Sequence, residues 1–272
     1  MSQQKRLLDF FETAYERYNC IPFIHPDPLE LVLRYHDPAD QEMAGIFASS
    51  FALGNVTAIL KCVEEVLLPL GRPAKNLRLF SELKLRRFYR GFRYRFFSEN
   101  DLFDLIAGVR GCIEDYDSLG SCFRKNMTDQ DILGALVKFV DILCEYAGKR
   151  IKILAKPEKG SACKRLHLFL RWMIRHDAVD PGTWRNFPSS ALIVPMDTHM
   201  LRIAQLLGIT KRRQADIKTA LEVTRFFKTL QPGDPVKYDF CLTRIGIHPD
   251  LSYKQLPTPE PFVSIAERNK TL

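Results

Sequence analysis

The chain has 272 residues, 46% hydrophobic and 26% charged, with a formal net charge of +8 at pH 7. That balance is ordinary for a globular protein with ample core. The sequence has no run of about 18 apolar residues, which excludes a transmembrane helix. The N-terminal MSQQKRLLDFFETAYERY carries charges throughout and no secretory core, so a cytoplasmic location is expected.

The excess of positive charge points to a polyanionic partner, nucleic acid first. The cysteines at 20, 62, 112, 122, 144, 163 and 241 are scattered, and none forms C-x-x-C. The spacing suits neither a zinc knuckle, an iron–sulfur loop nor a disulfide framework. Reduced thiols are expected, with no metal and no other cofactor.

Helical patterns dominate in chain order. Leu7, Leu8, Phe11, Ala14, Tyr15 and Tyr18 follow helical spacing, and the prolines of IPFIHPDPLE then break the chain. Asp40 opens a second predicted helix that Gly54 closes, and Asn55 starts a third. Further helical patterns run over 100–114, 128–147, 164–176, 197–207, 213–230 and 235–245. Thr128-x-x-Asp131 resembles a capping box, and Asp234 is placed to cap the last helix with Pro235 at its first position. No alternation is long enough to require a sheet, so the fold class reads as all-α. Residues 1–257 are expected to form a single helical domain and the proline-rich 258–272 a flexible tail.

Within this chain, KLRRFYRGFRYRFF (84–97) interleaves Arg86, Arg87, Arg90, Arg93 and Arg95 with phenylalanine and tyrosine. Arginine pairs with phosphate in fork geometry, and exposed aromatics stack on bases. Alternatively, the aromatics are core and the arginines merely solvated. Both hold if the rings turn inward and the arginines face phosphate.

Two helix starts carry candidate chemistry. In EKGSACKRLHLFLRWMIR, Leu166, Phe169, Leu170, Met173 and Ile174 make one apolar face. Ser161 is a plausible N-cap behind Gly160, which puts Lys164 in the first turn. The positive end of the helix dipole and neighbouring Arg165 favour the neutral amine there, the nucleophilic form. In VPMDTHMLRIAQLLG, Met200, Ile203, Ala204 and Leu207 form the buried stripe, and Asp197 is placed to cap the helix through the Met200 N–H.

VPMDTHMLRIAQLLG resembles the V-D-T-H-x-x-R-x-x-x-x-L-G segment of helix-hairpin-helix DNA glycosylases such as endonuclease III, and KRLHLFL resembles the helix bearing their Schiff-base lysine. The separation from Lys164 to Asp197 looks like that of the archaeal 8-oxoguanine glycosylase branch. The chain through about Leu256 resembles more closely an uncharacterised bacterial domain-of-unknown-function family (2400 type). It does so in DPLELVLRYHDPADQEMAGIFASSFALGN, KRLHLFLRWMIRHDAVDPGTW, VPMDTHMLRIAQLLG and DPVKYDFCLTRIGI. The chain departs from the glycosylase hairpin L-P-G-x-G-x-K, of which only Gly160 remains, with Ala162 in place of the second glycine. The cluster-binding cysteine loop is absent, and Asn55 is only a positional candidate for the intercalating glutamine.

The resemblance implies two helical subdomains flanking a cleft, and a monomeric base-excision glycosylase and AP lyase on double-stranded DNA. Lys164 would be the nucleophile and Asp197 the assisting carboxylate. Gly160, Arg165, Arg171, Trp172, His199 and Arg202 would contact the nucleic acid, Trp172 by stacking unless it belongs to the core, the commoner role. Tyr238 and Asp239 are placed near the same cleft. Two alternatives remain: a non-catalytic nucleic-acid-binding helical protein, and an enzyme acting on RNA or modified nucleosides. The discriminating expectation is geometric. One Asp197 oxygen should hold the helix and the other should face Lys164 across an open cleft.

Overall fold

A computed structural model describes residues 3–129, 131–157, 160–247 and 251–257; the expected tail, 258–272, lies outside the described residues. Short polar side chains set most helix starts. After α1 (Gln3–Tyr18) and the one-turn α2 (Leu29–Val32), Asp37 caps α3 (Pro38–Ser50) by accepting the Ala39 N–H at 3.0 Å. The expected start at Asp40 is thus late by three residues, because Asp37 caps the helix, Pro38 takes the first helical position and Asp40 is buried, accepting the Ala74 N–H. Asn55 caps α4 (Val56–Leu67) through the Thr57 N–H, as its place in the sequence suggested.

Two short helices, α5 (Pro73–Leu79) and α6 (Glu82–Phe88), precede a two-stranded antiparallel hairpin, β1 (Arg93–Tyr94) and β2 (Phe97–Ser98). Ser98 and Asp101 then form a reciprocal capping box that starts α7 (Glu99–Tyr116). α8 (Leu119–Asn126) and α9 (Ile132–Tyr146) follow. Asp131 caps α9 by accepting the Gly134 N–H at 3.0 Å. Thr128 therefore does not cap; its carbonyl accepts the Asp131 N–H instead. The remaining helices are α10 (Lys164–Ile174), α11 (Thr198–Leu206), α12 (Ile217–Leu230) and α13 (Asp239–Ile247). The last begins later than the expected 235, because the Asp234 carboxylate binds Arg175 rather than a helix start.

α7 lies along α9, α10 crosses α3, and α11 packs on α13, which in turn contacts α1. One apolar cluster joins side chains from Leu7 to Leu256. The α3–α10 crossing is tight at Gly45: a Cβ there would stand 2.9 Å from the Met173 methyl and 3.3 Å from the Phe169 ring. This close approach fixes the height of α10, and hence of Lys164, against α3. The structure is all-α apart from the short hairpin, and no helix among the described residues is long and apolar enough to cross a membrane.

In the basic stretch most rings turn inward and the arginines outward. Leu85, Tyr89, Phe92, Tyr94 and Phe97 are buried, while Arg86, Arg87, Arg90, Arg93 and Arg95 are exposed. Phe51, at the end of α3, collects Phe92, Tyr94 and Phe97 edge-on at 5.7, 5.9 and 6.3 Å between ring centroids. Each such pair adds roughly 0.5–1.5 kcal/mol beyond area burial, so the hairpin is pinned by its aromatic alternate face.

Candidate functional site

Lys164 is the first residue of α10, and the turn before it is built from two left-handed residues, Gly160 (φ 73°) and Cys163 (φ 44°). Cys163, not Ser161, holds the cap position, and no side chain caps this helix. The Ser161 hydroxyl instead accepts the Cys163 N–H at 3.2 Å, stabilising the turn itself. The turn is tied laterally to the start of α12: Ser161 pairs with Asp216, and Gly160 accepts the Ile217 N–H at 3.3 Å. Residues 147–157 carry turns and bends and no α-helix, so the described residues do not present the first helix of a helical hairpin ahead of Lys164.

Asp197 caps α11 as the local sequence predicts: Oδ1 accepts the Met200 N–H at 2.9 Å. Its second oxygen, Oδ2, stands 3.7 Å from Lys164 Nζ, with both side chains part-exposed. The two groups stand together on one side of a cleft of about 810 Å³ rather than across it. That volume is within the range of small-ligand sites, roughly 300–1,000 Å³. One wall is the α3–α4 turn (Ala52, Leu53, Gly54, Asn55); the other side is made by the starts of α10 and α11 and by α13.

Beneath the cleft lies a buried ionic network. Arg171 donates to Asp180 at 3.1 Å and to Asp239 Oδ2. Arg175 holds Asp180 at 2.9 Å, Asp234 at 2.7 Å and Asp177. At the near rim Arg244 pairs with Asp27 at 2.7 Å and donates to the carbonyl of Pro26. Such groups are tolerated in a core because nearly every donor is matched. The atoms of this network left unmatched among the described residues are Arg244 Nε, Asp234 Oδ1 and one oxygen of Asp239. That Asp239 oxygen, Oδ1, is buried without a partner on a residue that lines the cleft. Burial pushes the Asp239 carboxyl up, against the pull of Arg171, to about 6.

The predicted contact residues divide accordingly. Arg165 lines the cleft and donates to the Ser50 carbonyl, with its guanidinium 5.9 Å from the Phe97 ring centroid. Two assignments need correction. Arg171 is buried in the ionic network, so its role is to hold Asp239 and Asp180 rather than to meet phosphate. Trp172 has 0% exposure, lies in the core and does not line the cleft. His199 lines the cleft and pairs with the Tyr253 hydroxyl at 3.1 Å, and Arg202 stacks on the same ring at 4.7 Å. Gly160 is exposed, and a Cβ there would meet no atom within 4 Å; its left-handed φ, not close approach, is what demands glycine. Arg86 is paired with Glu82 at 2.7 Å, and none of the five arginines of the basic stretch lines the cleft. Asp27, Arg244 and Tyr253 were not singled out from the sequence, because their partners lie on elements distant along the chain and leave no local signal. Tyr238, expected near the cleft, is instead buried against α1, its hydroxyl donating to Glu12 at 2.6 Å.

A family model described as "Protein of unknown function (DUF2400)" matches residues 27–248. The match spans more than half of the chain and takes in Lys164, Asp197 and Asp239, so the chain belongs to that family. No curated protein and no solved structure matches it.

Proposed function

We propose that this protein is a DNA base-excision glycosylase with AP lyase activity, in which Lys164 is the nucleophile and Asp197 its assisting carboxylate. The observation that carries the reading is the division of labour in Asp197: one oxygen fixes α11 while the other stands 3.7 Å from Lys164 Nζ in an open cleft. A damaged nucleotide extruded from a duplex is the substrate class that such a pocket on a basic protein serves. Asp197 accepts a proton from the lysine ammonium. The free amine attacks C1′, and the C1′–N bond breaks with its electron pair leaving on the base, which is then protonated. Positive charge builds on the sugar during this step, and the Asp197 carboxylate stabilises it. Opening of the sugar ring gives the Schiff base; loss of a C2′ proton then expels the 3′ phosphate by β-elimination.

The buried network below the cleft supports the same chemistry by holding α10 and α13 in fixed relation. Asp239, which lines the pocket and keeps one buried oxygen without a partner, offers an acceptor for a base N–H, or a donor where it is protonated. The test is borohydride trapping on oligonucleotides bearing an abasic site, 8-oxoguanine or uracil. A covalent adduct that is lost in Lys164→Ala supports the lyase. Salt-dependent DNA binding with no adduct on any of these would replace it with a non-catalytic binding protein. Adducts formed on RNA or modified nucleosides alone would move the enzyme to that substrate.

A further inference from the structure

We infer that the β1–β2 hairpin is a wedge for double-stranded DNA, with Phe96 entering the base stack beside the nucleotide that the cleft takes in. The inference rests on the reading of the cleft as a nucleotide site, and adds to it a residue and a duplex-specific contact.

Three observations carry it. First, Phe96 is 70% exposed at the tip of the hairpin, although its neighbours Tyr94 and Phe97 are buried. The loop has only two residues, Arg95 and Phe96, and Arg95 adopts a left-handed φ of 54°. A tip this short, clamped by Tyr94 and Phe97 against Phe51, is stiff enough to hold an aromatic ring out in water. Second, the hairpin is fastened to the cleft wall itself. The Tyr94 hydroxyl donates to the Leu53 carbonyl at 2.8 Å, and the Arg95 guanidinium lies so close to Gly54 that a Cβ there would meet it at 2.4 Å. Leu53, Gly54 and Asn55 line the cleft. Third, the charge around the tip is of one sign. Arg93 and Arg95 are exposed and make no ion pair among the described residues, and the nearest acid along the chain, Glu99, accepts the Gly91 N–H at 2.8 Å. An apolar ring flanked by free arginines suits a stacked polyanion better than a protein surface.

Extruding a nucleotide leaves a gap in the stack, and apolar side chains commonly fill such gaps. Asn55, the positional candidate, spends its side-chain oxygen on the Thr57 N–H as the α4 cap. Phe96 is at the tip of the hairpin fastened to the cleft wall, its ring edge-on to Phe97 at 4.7 Å and 70% exposed.

The test compares a duplex holding one tetrahydrofuran abasic analogue with the same duplex undamaged, whose closed stack offers no gap. Phe96→Ala should weaken binding to the abasic duplex by about tenfold, a modest share of what stacking one base on an aromatic ring supplies, and leave the undamaged duplex within about twofold. Phe96→Trp provides a second readout, because both native tryptophans are buried. Its added emission should be quenched on the abasic duplex and not on the undamaged one. Unchanged affinity in Phe96→Ala, or unquenched emission in a formed complex, overturns the wedge while leaving trapping by Lys164 intact. If the wild-type protein binds neither duplex, the nucleotide reading of the cleft fails and the wedge falls with it.

Discussion

The two oxygens of Asp197 can be separated by substitution. Asp197→Asn keeps an acceptor for the Met200 N–H but removes the charge that faces Lys164. Asp197→Ala removes both. Loss of a cap costs about 1 kcal/mol, and a pair of part-exposed charges contributes between 0 and about 1 kcal/mol. The pair here is long, 3.7 Å, with side chains 30% and 25% exposed, so its share belongs at the low end of that range. Asp197→Ala should therefore lower the melting temperature by about 2–4 °C for a chain of this size, and Asp197→Asn by clearly less. Trapping should show no such gradation. Both variants should form the borohydride adduct at least about a hundredfold more slowly, the usual scale for removing one electrostatic stabiliser of a transition state. Differential scanning calorimetry and single-turnover trapping on an abasic duplex make the comparison. An Asn variant that traps at the wild-type rate would show that the second oxygen has no chemical role. An Ala variant as stable as wild type would remove the cap.

Other consequences can be read from the same structure. Glu42 is buried and accepts the Leu119 N–H at 3.1 Å, the Gly120 N–H at 2.8 Å and the Trp184 indole N–H at 2.6 Å; Glu42→Ala should cost about 3 kcal/mol or more in urea unfolding, since three buried donors lose their acceptor. Burial pushes the Asp177 carboxyl up, but Arg175, two backbone N–H groups and Tyr15 outweigh it and hold it near 2, from 3.8. A lowered folded-state value means stability present above the unfolded value and lost as pH falls through the folded one. The penalty of Asp177→Asn should thus be about 2 kcal/mol at neutral pH, shrink below pH 4 and disappear near pH 2, as followed by denaturation at each pH. Replacing Arg87, Arg90 and Arg93 together by alanine should reduce the slope of log affinity against log salt by roughly 0.9 for every arginine that neutralises a phosphate. An unchanged slope removes this face from the nucleic-acid surface.

Elements with strong local signals were legible in the sequence. α10 and α11 begin where their apolar stripes and Asp197 place them, and Asn55 caps α4. Caps chosen by residue type alone were less secure: Ser161 lies beside a start tied to α12, Thr128 beside one that Asp131 caps, and Asp234 was claimed by Arg175. α5, α6 and α8 span seven or eight residues each, too short for a periodicity to stand out. The closeness of Lys164 and Asp197 could not come from either helix, because it depends on how α10 and α11 are held; only the resemblance of both segments to one family joined them. Burial of Arg171 was hidden for a similar reason. On the helical wheel it sits away from the apolar stripe, a position that reads as solvent until Asp180 and Asp239 are brought over it.

The network around Arg171 and Arg175 also has an imbalance. Two guanidiniums face four carboxylates, those of Asp177, Asp180, Asp234 and Asp239, a formal excess of two negative charges under a protein of net charge +8. Poorly screened by water, this floor puts negative charge under a cleft whose lining carries Lys164, Arg165 and Arg244. A phosphate approaching from solvent is turned back toward the cationic rim, so a bound strand would keep its backbone outside. In the proposed reaction, a sugar that enters neutral and turns cationic as its bond to the base breaks would meet the opposite response, and would be held more strongly the further the reaction proceeds. The same two charges would thus sort groups by where they sit before the reaction and favour the state that forms during it.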